Sequence, residues 1–285
     1  MESQQKYPKH YSFEFFPPRT DKGKTTIVKT LDELSKLKPA YMSCTYGAGG
    51  TTQVGTYDTV KLIVDHKQTA VPHITCIGSS KGVICNLLKT YSELGVKRVV
   101  ALRGDLPPGQ SDPGEFHYAN ELVTFIREEM GEDFGIEVAC YPEVHPQAPS
   151  ARADVENFKR KVDAGANCAI TQYFFNIDAY FRFVDECEQS DIHIPIVPGI
   201  MPITNYTQLA KFSDLCGAEI PRWLRKRLED YGDDLESIRA FGLDVVSELC
   251  RRLLDAGCPG LHFYTLNKHE PIVALWQRLG LKEPV

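Results

Sequence analysis

The stretch Phe13-Glu14-Phe15-Phe16-Pro17-Pro18-Arg19 sets a carboxylate inside an aromatic run and closes it with two prolines. Burying a carboxylate among phenylalanines is costly unless it has a task or a partner. Four later strand-like segments also end on polar chemistry: Cys44-Thr45, Pro72-His73, Arg103-Gly104-Asp105 and Gln172. Repeated strands that carry reactive groups at one end point to a parallel barrel with an active site at its mouth.

Working outward, strand-like runs alternate with helical spacing from end to end. The strands read 11–16, 40–46, 71–77, 97–102, 136–141, 168–174, 194–198 and 260–266. Between them Val155, Phe158 and Val162 repeat at helical intervals, as do Ile238, Phe241, Val245, Leu249 and Leu253. Gly95, Gly165 and Gly257 mark turns before strands. Eight strand–helix units in 285 residues favour a single-domain (β/α)8 TIM barrel over an open doubly wound sheet. The barrel spans residues 11–285 behind a polar N-terminal extension, residues 1–10. No G-x-G-x-x-G follows a strand, and the glycine-rich loop at 47–50 lacks a P-loop ending and receives no role. Residues 211–234 form a long connection with an amphipathic piece at 223–228, suited to shaping the mouth.

Hydrophobic content of 42% and charged content of 25% are those of a soluble globular protein. A net charge of −6 gives no general attraction to nucleic acid or to an anionic membrane. No apolar run approaches the roughly 20 residues of a membrane span, and no secretory segment opens the chain. Nine scattered cysteines, without a C-x-x-C pair, read as small core residues, notably Cys44, Cys76, Cys140 and Cys168. A reducing cytoplasm fits them.

On a barrel map Glu14, Thr45, His73, Asp105, Tyr141, Gln172 and Tyr264 converge on one face. Each has a plainer alternative: a structural ion pair for Glu14 with Arg19 or another cation, a hydrogen-bonded core histidine for His73, packing for Tyr264. Their shared location is what carries information. Asp154, Asn157 and Lys161 form a polar stripe beside Val155/Phe158/Val162, with Arg160 adjacent. Periodicity alone makes that stripe a solvated helix face; a phosphate-bearing ligand would use its cations. His73, His117, His145, His262 and His269 show no metal-site spacing, and no G-x-S-x-G elbow is present.

Eight strings in order closely resemble the methylenetetrahydrofolate reductase family: FEFFPPR at 13–19, SCTYGAGG at 43–50, PHITC at 72–76, ALRGDLPP at 101–108, YPEVHP at 141–146, KRKVDAGANCAITQYFF at 159–175, PGIMPI at 198–203 and HFYTLN at 262–267. The match runs over residues 10–282. It looks like the short bacterial type, without the regulatory domain and adenosylmethionine site of eukaryotic members.

The resemblance implies flavin-dependent reduction of 5,10-methylenetetrahydrofolate to 5-methyltetrahydrofolate, which supplies methyl groups for methionine synthesis. FAD is held non-covalently and NADH or NADPH serves as hydride donor, with ping-pong turnover at one shared site. It implies a cytoplasmic homo-oligomer with small-molecule folate and nicotinamide substrates and no nucleic-acid or membrane partner. Glu14 matches the general acid; in an aromatic setting its pKa would be raised and it would be protonated near neutrality. Asp105 matches the acidic residue beside flavin and pterin, whose charge favours a cationic iminium. Gln172 matches a pterin ligand, and Phe212 an aromatic that packs on either substrate. For FAD the matching positions are Thr45, His73, Arg103, Gly104, Asp105, Tyr141, His145, Asp154, Asn157, Arg160, Lys161, Ile170 and Tyr264. Lys268 joins them where family members often carry arginine; it keeps the charge and loses the bidentate fork. The resemblance thus turns the 154–161 face from solvated to ligand-binding. The alternatives are another FAD-dependent barrel oxidoreductase, proline-dehydrogenase-like, and a non-catalytic flavin- or folate-binding subunit.

Overall fold

The computed structural model describes residues 1–46, 53–105 and 112–281. The glycine-rich loop at 47–50 and residues 106–108 of the ALRGDLPP string lie outside the described residues.

Helix α1 (Glu2–Gln5) precedes β1 (His10–Phe15), α2 (Asp21–Ser35), β2 (Tyr41–Cys44), α3 (Gln53–Asp65), β3 (Ala70–Thr75) and α4 (Lys81–Glu93). Then follow β4 (Arg98–Leu102), α5 (Ala119–Met130), β5 (Gly135–Cys140), α6 (Ala151–Asp163), β6 (Cys168–Thr171) and α7 (Ile177–Gln189). The chain continues through β7 (Ile196–Val197), β8 (Gly199–Ile200), α8 (Tyr206–Cys216), α9 (Arg222–Asp230), α10 (Leu235–Asp255), β9 (Gly260–Tyr264) and α11 (Glu270–Leu279). All strand pairs are parallel, in the order β7-β6-β5-β4-β3-β2-β1-β9-β8.

Among the described residues the barrel has eight staves, because β7 and β8 are one stave in two pieces. Ile196 and Val197 pair with β6, whereas Gly199 and Ile200 pair with β9. Pro198 between them has no N–H and interrupts the ladder; its carbonyl accepts from His262 N at 3.0 Å. The stave expected to stop at Pro198 therefore runs on to Ile200. That extension closes the ring.

Alternation along β1 sends Tyr11, Phe13 and Phe15 outward and Ser12 and Glu14 inward. Tyr11 and Phe13 meet Trp276 of α11 with ring centroids 5.2 and 5.9 Å apart. The aromatic run thus packs the barrel wall onto its helices and does not enclose Glu14. Inside, Tyr41, Val71, Val100 and Ile170 form a separate apolar cluster. Each helix must satisfy free N–H groups at its start. Thr20, Ser80, Ser150, Asn176, Asn205 and Asp234 do so with side-chain oxygens.

The amphipathic piece expected at 223–228 is α9, with Leu224 and Leu228 buried and Trp223 exposed. Two expectations shift. The buried stripe of α10 runs through Ile238, Gly242, Val246, Leu249 and Leu253, leaving Phe241 and Val245 half-buried. Gly242 belongs to it because a Cβ there would sit 2.6 Å from the Ile203 carbonyl and side chain. Cys168 is half-buried, unlike Cys44, Cys76 and Cys140. At the start of the chain Gln4 is buried and bonds the backbone of Ile194 and Ile196, so residues 1–10 pack against the N-terminal end of the barrel. Among the described residues no helix is long and apolar enough to cross a membrane.

Candidate active site

Glu14 sits at the inward-facing end of β1 with its side chain 16% exposed. Its Oε2 lies 3.4 Å from His73 Nε2 on β3 and 3.4 Å from His262 Nε2 on β9. The carboxyl group therefore stands between two imidazoles, not among phenylalanines. Arg19, the cation nearest in sequence, is exposed and makes no ion pair with it. Burial takes His73 down to about 4, with His262 adding to the drop and Glu14 opposing it. His73 is neutral at pH 7, and its Nε2 is buried without a hydrogen-bond partner. A buried nitrogen without a partner calls for one, and a ligand at the barrel mouth could supply it.

The backbone beneath Glu14 is fixed from β9. Thr265 Oγ1 donates to Glu14 O at 2.6 Å, and Asn267 clamps Phe16 by accepting from its N–H at 3.1 Å and donating to its carbonyl at 2.8 Å. Leu266 and Asn267 hold positive φ angles of 50° and 55° in the turn that makes this clamp. Tyr264 donates to the Thr171 carbonyl at 2.8 Å across the ring from β9 to β6. Its ring crosses over Gly199, where no Cβ stands in the way. Burial raises the Tyr264 hydroxyl far above its ordinary value, so it acts only as a neutral donor.

Gln172 follows β6, and its Oε1 accepts from Tyr173 N at 3.0 Å. Phe212 lies half-buried on α8, next to Ser213, which pairs with the Tyr173 hydroxyl at 3.0 Å. Thr45 continues β2, bonded through its N–H to Phe15 O at 2.9 Å. The Arg103-Gly104-Asp105 turn crosses the end of β3; with φ at +82° and Thr75 Cβ 2.9 Å from where a Cβ would stand, only glycine fits at 104. Arg103 donates to Gln147 Oε1 at 2.6 Å, and Asp105 is exposed.

The loop after β5 gathers a second group. Tyr141 meets the His145 ring edge-on at 4.5 Å, and Asp154 of α6 accepts from His145 N at 2.9 Å. Val144 between them holds φ at 71°, a strained conformation for a β-branched residue. Burial pushes Tyr141 up to about 12 and draws the His145 imidazole below its ordinary value. Lys161 points inward and donates to Ala139 O at 2.5 Å, its pKa lowered by burial. Asn157 and Arg160 turn the other way, exposed and bonded to each other at 2.6 Å. The stripe on α6 therefore splits: Asp154 holds the loop and Lys161 the end of β5, whereas Arg160 and Asn157 stand in solvent. Ile170 is 5% exposed within the interior apolar cluster. Lys268 borders a cavity of about 940 Å3 between α2, α10 and α11, outside the barrel wall, which Lys22, Lys29 and Arg239 also line.

The residues that sequence reasoning missed are Ser12, His262, Thr265 and Asn267. Ser12 and His262 each lie two positions before a selected residue, Glu14 and Tyr264, and strand alternation puts such pairs on one face. Glu143 was missed as well. Its Oε1 is buried without a partner, its Oε2 accepts from Glu219 N at 2.7 Å, and burial raises it to about 7. The folded state then keeps a proton that the unfolded chain releases above the ordinary 4.5. Stability contributed by that proton falls as pH rises from 4.5 through about 7. Glu143→Gln is expected to flatten this decline. Melting temperatures measured across that window test it, and an equal decline in the variant would refute it.

A parallel barrel whose inward-facing carboxylate, histidines and tyrosine meet at the carboxyl ends of its strands is the architecture of a barrel enzyme. The profile described as Methylenetetrahydrofolate reductase matches residues 1–280. The chain belongs to the methylenetetrahydrofolate reductase family. It is 43% identical over 272 residues to the 5,10-methylenetetrahydrofolate reductase of Escherichia coli (strain K12), covering 95% of this chain and 90% of the relative. It is 37% identical to Methylenetetrahydrofolate reductase (NADH) 1 of Arabidopsis thaliana, covering 95% of this chain and 48% of that protein. The fold is similar, with a TM-score of 0.69 and 16% identity, to a Clostridium thermocellum protein that binds two copies of 5-methyl-5,6,7,8-tetrahydrofolic acid. That superposition covers 98% of this chain and 96% of the other.

Proposed function

We propose that this protein reduces 5,10-methylenetetrahydrofolate to 5-methyltetrahydrofolate with FAD and NADH or NADPH, both half-reactions sharing the barrel mouth. The observation that carries the reading is Glu14, an inward carboxyl at a strand end with one oxygen within 3.4 Å of two imidazoles. The substrate's methylene bridge must open to an iminium before it accepts hydride, and opening needs a proton at the arylamine nitrogen. Glu14 donates that proton. His262 hydrogen-bonds the carboxyl, and the neutral His73 stands beside it with its Nε2 open to a ligand. Asp105 favours the iminium cation electrostatically, Gln172 binds the pterin, and Phe212 packs on either substrate.

The residues suited to FAD fit its chemistry. Arg103 and Arg160 offer guanidinium groups for a pyrophosphate, and Thr45, Tyr141, His145, Asp154 and Asn157 offer polar groups for ribose and ring edges. Lys161 supports this side from within, and Gly104 admits close backbone approach. Bound FAD supplies the redox step that couples nicotinamide to folate. The same reading places the protein in the cytoplasm as a homo-oligomer supplying methyl groups for methionine synthesis. Incubation of the purified protein with FAD, NADH and 5,10-methylenetetrahydrofolate, followed by chromatography, is expected to yield 5-methyltetrahydrofolate. Oxidation of NADH without that product would refute the reading.

A further inference from the structure

The cavity of about 940 Å3 outside the barrel wall opens between the N-terminal halves of α2, α10 and α11. Its walls follow from sequence spacing. Lys22, Thr25, Thr26 and Lys29 recur at i, i+3, i+4 and i+7, so they share one face of α2 beside its buried stripe of Ile27, Thr30, Leu31 and Leu34. Ile203 after β8, Leu243 and Val246 of α10 and Leu275 of α11 make the floor apolar. Ala240 and Ala274 line it too, and side chains that short leave the space between the helices unfilled. Protein interiors are close-packed, with few voids larger than a water molecule. A space of this size has the volume of a ligand pocket, not of a packing defect.

The rim is cationic. Lys22, Lys29, Arg239 and Lys268 border the cavity, all four are exposed, and none forms a salt bridge with a described residue. Glu33 feels the charge of Lys29 but pairs with Lys36 instead. Among the described residues Glu270 is the one carboxylate on the cavity, and it faces His269 at 3.6 Å. A chain of net charge −6 thus gathers four unpaired cations around one apolar hollow. Cations so placed repel one another unless an anion is shared between them. Thr204 adds a second signal: it lines the cavity at 8% exposure, and its hydroxyl bonds no described residue. Thr30, by contrast, is tied to Asn267 O at 3.0 Å.

We propose that this cavity binds an amphipathic carboxylate, its apolar body against Ile203, Leu243, Val246 and Leu275 and its anionic head among Lys22, Lys29 and Arg239. Charge complementarity selects the head, and the apolar floor selects the body. A purely polar polyanion would leave the floor without a partner. A neutral lipid would leave the cations unpaired. Lys268, which the family resemblance assigns to FAD, stands where the cavity meets the mouth, so the head is placed on the three cations that the mouth does not use. The site is independent of the reaction proposed for the barrel mouth.

Decanoate is the probe, titrated calorimetrically into the full-length protein in excess FAD, which occupies the mouth. One equivalent per chain is expected to bind, with an affinity that falls as salt screens the rim. Decanol is expected to bind about 10-fold more weakly, since it brings no charge to the lysines. The double variant Lys22→Glu/Lys29→Glu and the single variant Arg239→Glu alter exposed positions. Each is expected to weaken decanoate by about 10-fold and to leave decanol unchanged. Ala274→Trp is expected to fill the cavity and abolish binding of both; if it fails to fold, the charge variants alone decide. Equal affinity for decanoate in wild type and charge variants, equal affinity for decanol and decanoate, or displacement of FAD by decanoate overturns the proposal. Absence of binding to wild type overturns it as well, and sedimentation then shows whether a second copy of the chain covers the cavity.

Discussion

Glu14→Gln is expected to lower folate reduction by about 10²–10⁴-fold, the usual contribution of a positioned general acid. Reduction of the flavin by NADH should survive nearly intact. Glutamine keeps the shape and a hydrogen-bonding oxygen but has no acid proton to give the arylamine nitrogen. Hydride transfer from nicotinamide requires no such proton, so the two half-reactions separate. Rapid-mixing measurements of each half-reaction provide the check. Equal losses in both would make Glu14 a structural residue, held by His73 and His262 for the sake of the barrel alone.

Gly199→Ala should produce a large loss of stability from a single added methyl. The new Cβ would press on the Thr171 carbonyl and lie 2.7 and 2.8 Å from the Tyr264 ring and hydroxyl. The carbonyl cannot retreat, because β6 is paired to β5 through Cys140 and Thr171, and Gly199 N itself donates to Thr171 Oγ1 at 2.9 Å. Tyr264 must therefore swing away and lose its bond to Thr171. Overpacking of this kind costs about 1–3 kcal/mol, visible as a lowered Tm. Displacement of Tyr264 from the mouth should also weaken ligand binding. A wild-type Tm with unchanged binding would show that the seam has slack that the packing around Gly199 denies.

The eight staves and the convergence of Glu14, His73 and Tyr264 were legible because strand alternation and strand-end position are local properties of the chain. The neighbours of Glu14 were not. In sequence it stands between phenylalanines, but alternation turns Phe13 and Phe15 to the helices, and its true partners arrive from β3 and β9. His262 lies 248 positions away in the chain. No pattern near FEFFPPR announces such a contact. The stripe on α6 shows the same limit at smaller scale: spacing placed Asp154, Asn157, Arg160 and Lys161 near one another, whereas only packing against β5 separates the inward Lys161 from the solvated Arg160. Tyr41 and Glu137 were hidden as well: each reads as an ordinary strand residue, yet across the barrel interior, from strands β2 and β5 that do not pair with each other, Tyr41 donates to Glu137 Oε2 at 2.7 Å. The halves of the seventh stave were also unreadable, because where a proline interrupts a ladder depends on which neighbours close the ring.

The most direct test of the central proposal is anaerobic titration of the flavin-loaded protein. Its yellow colour should bleach on addition of NADH or NADPH and return on addition of 5,10-methylenetetrahydrofolate, with one equivalent of 5-methyltetrahydrofolate formed. A flavin that bleaches but is never reoxidised by the folate would contradict the account.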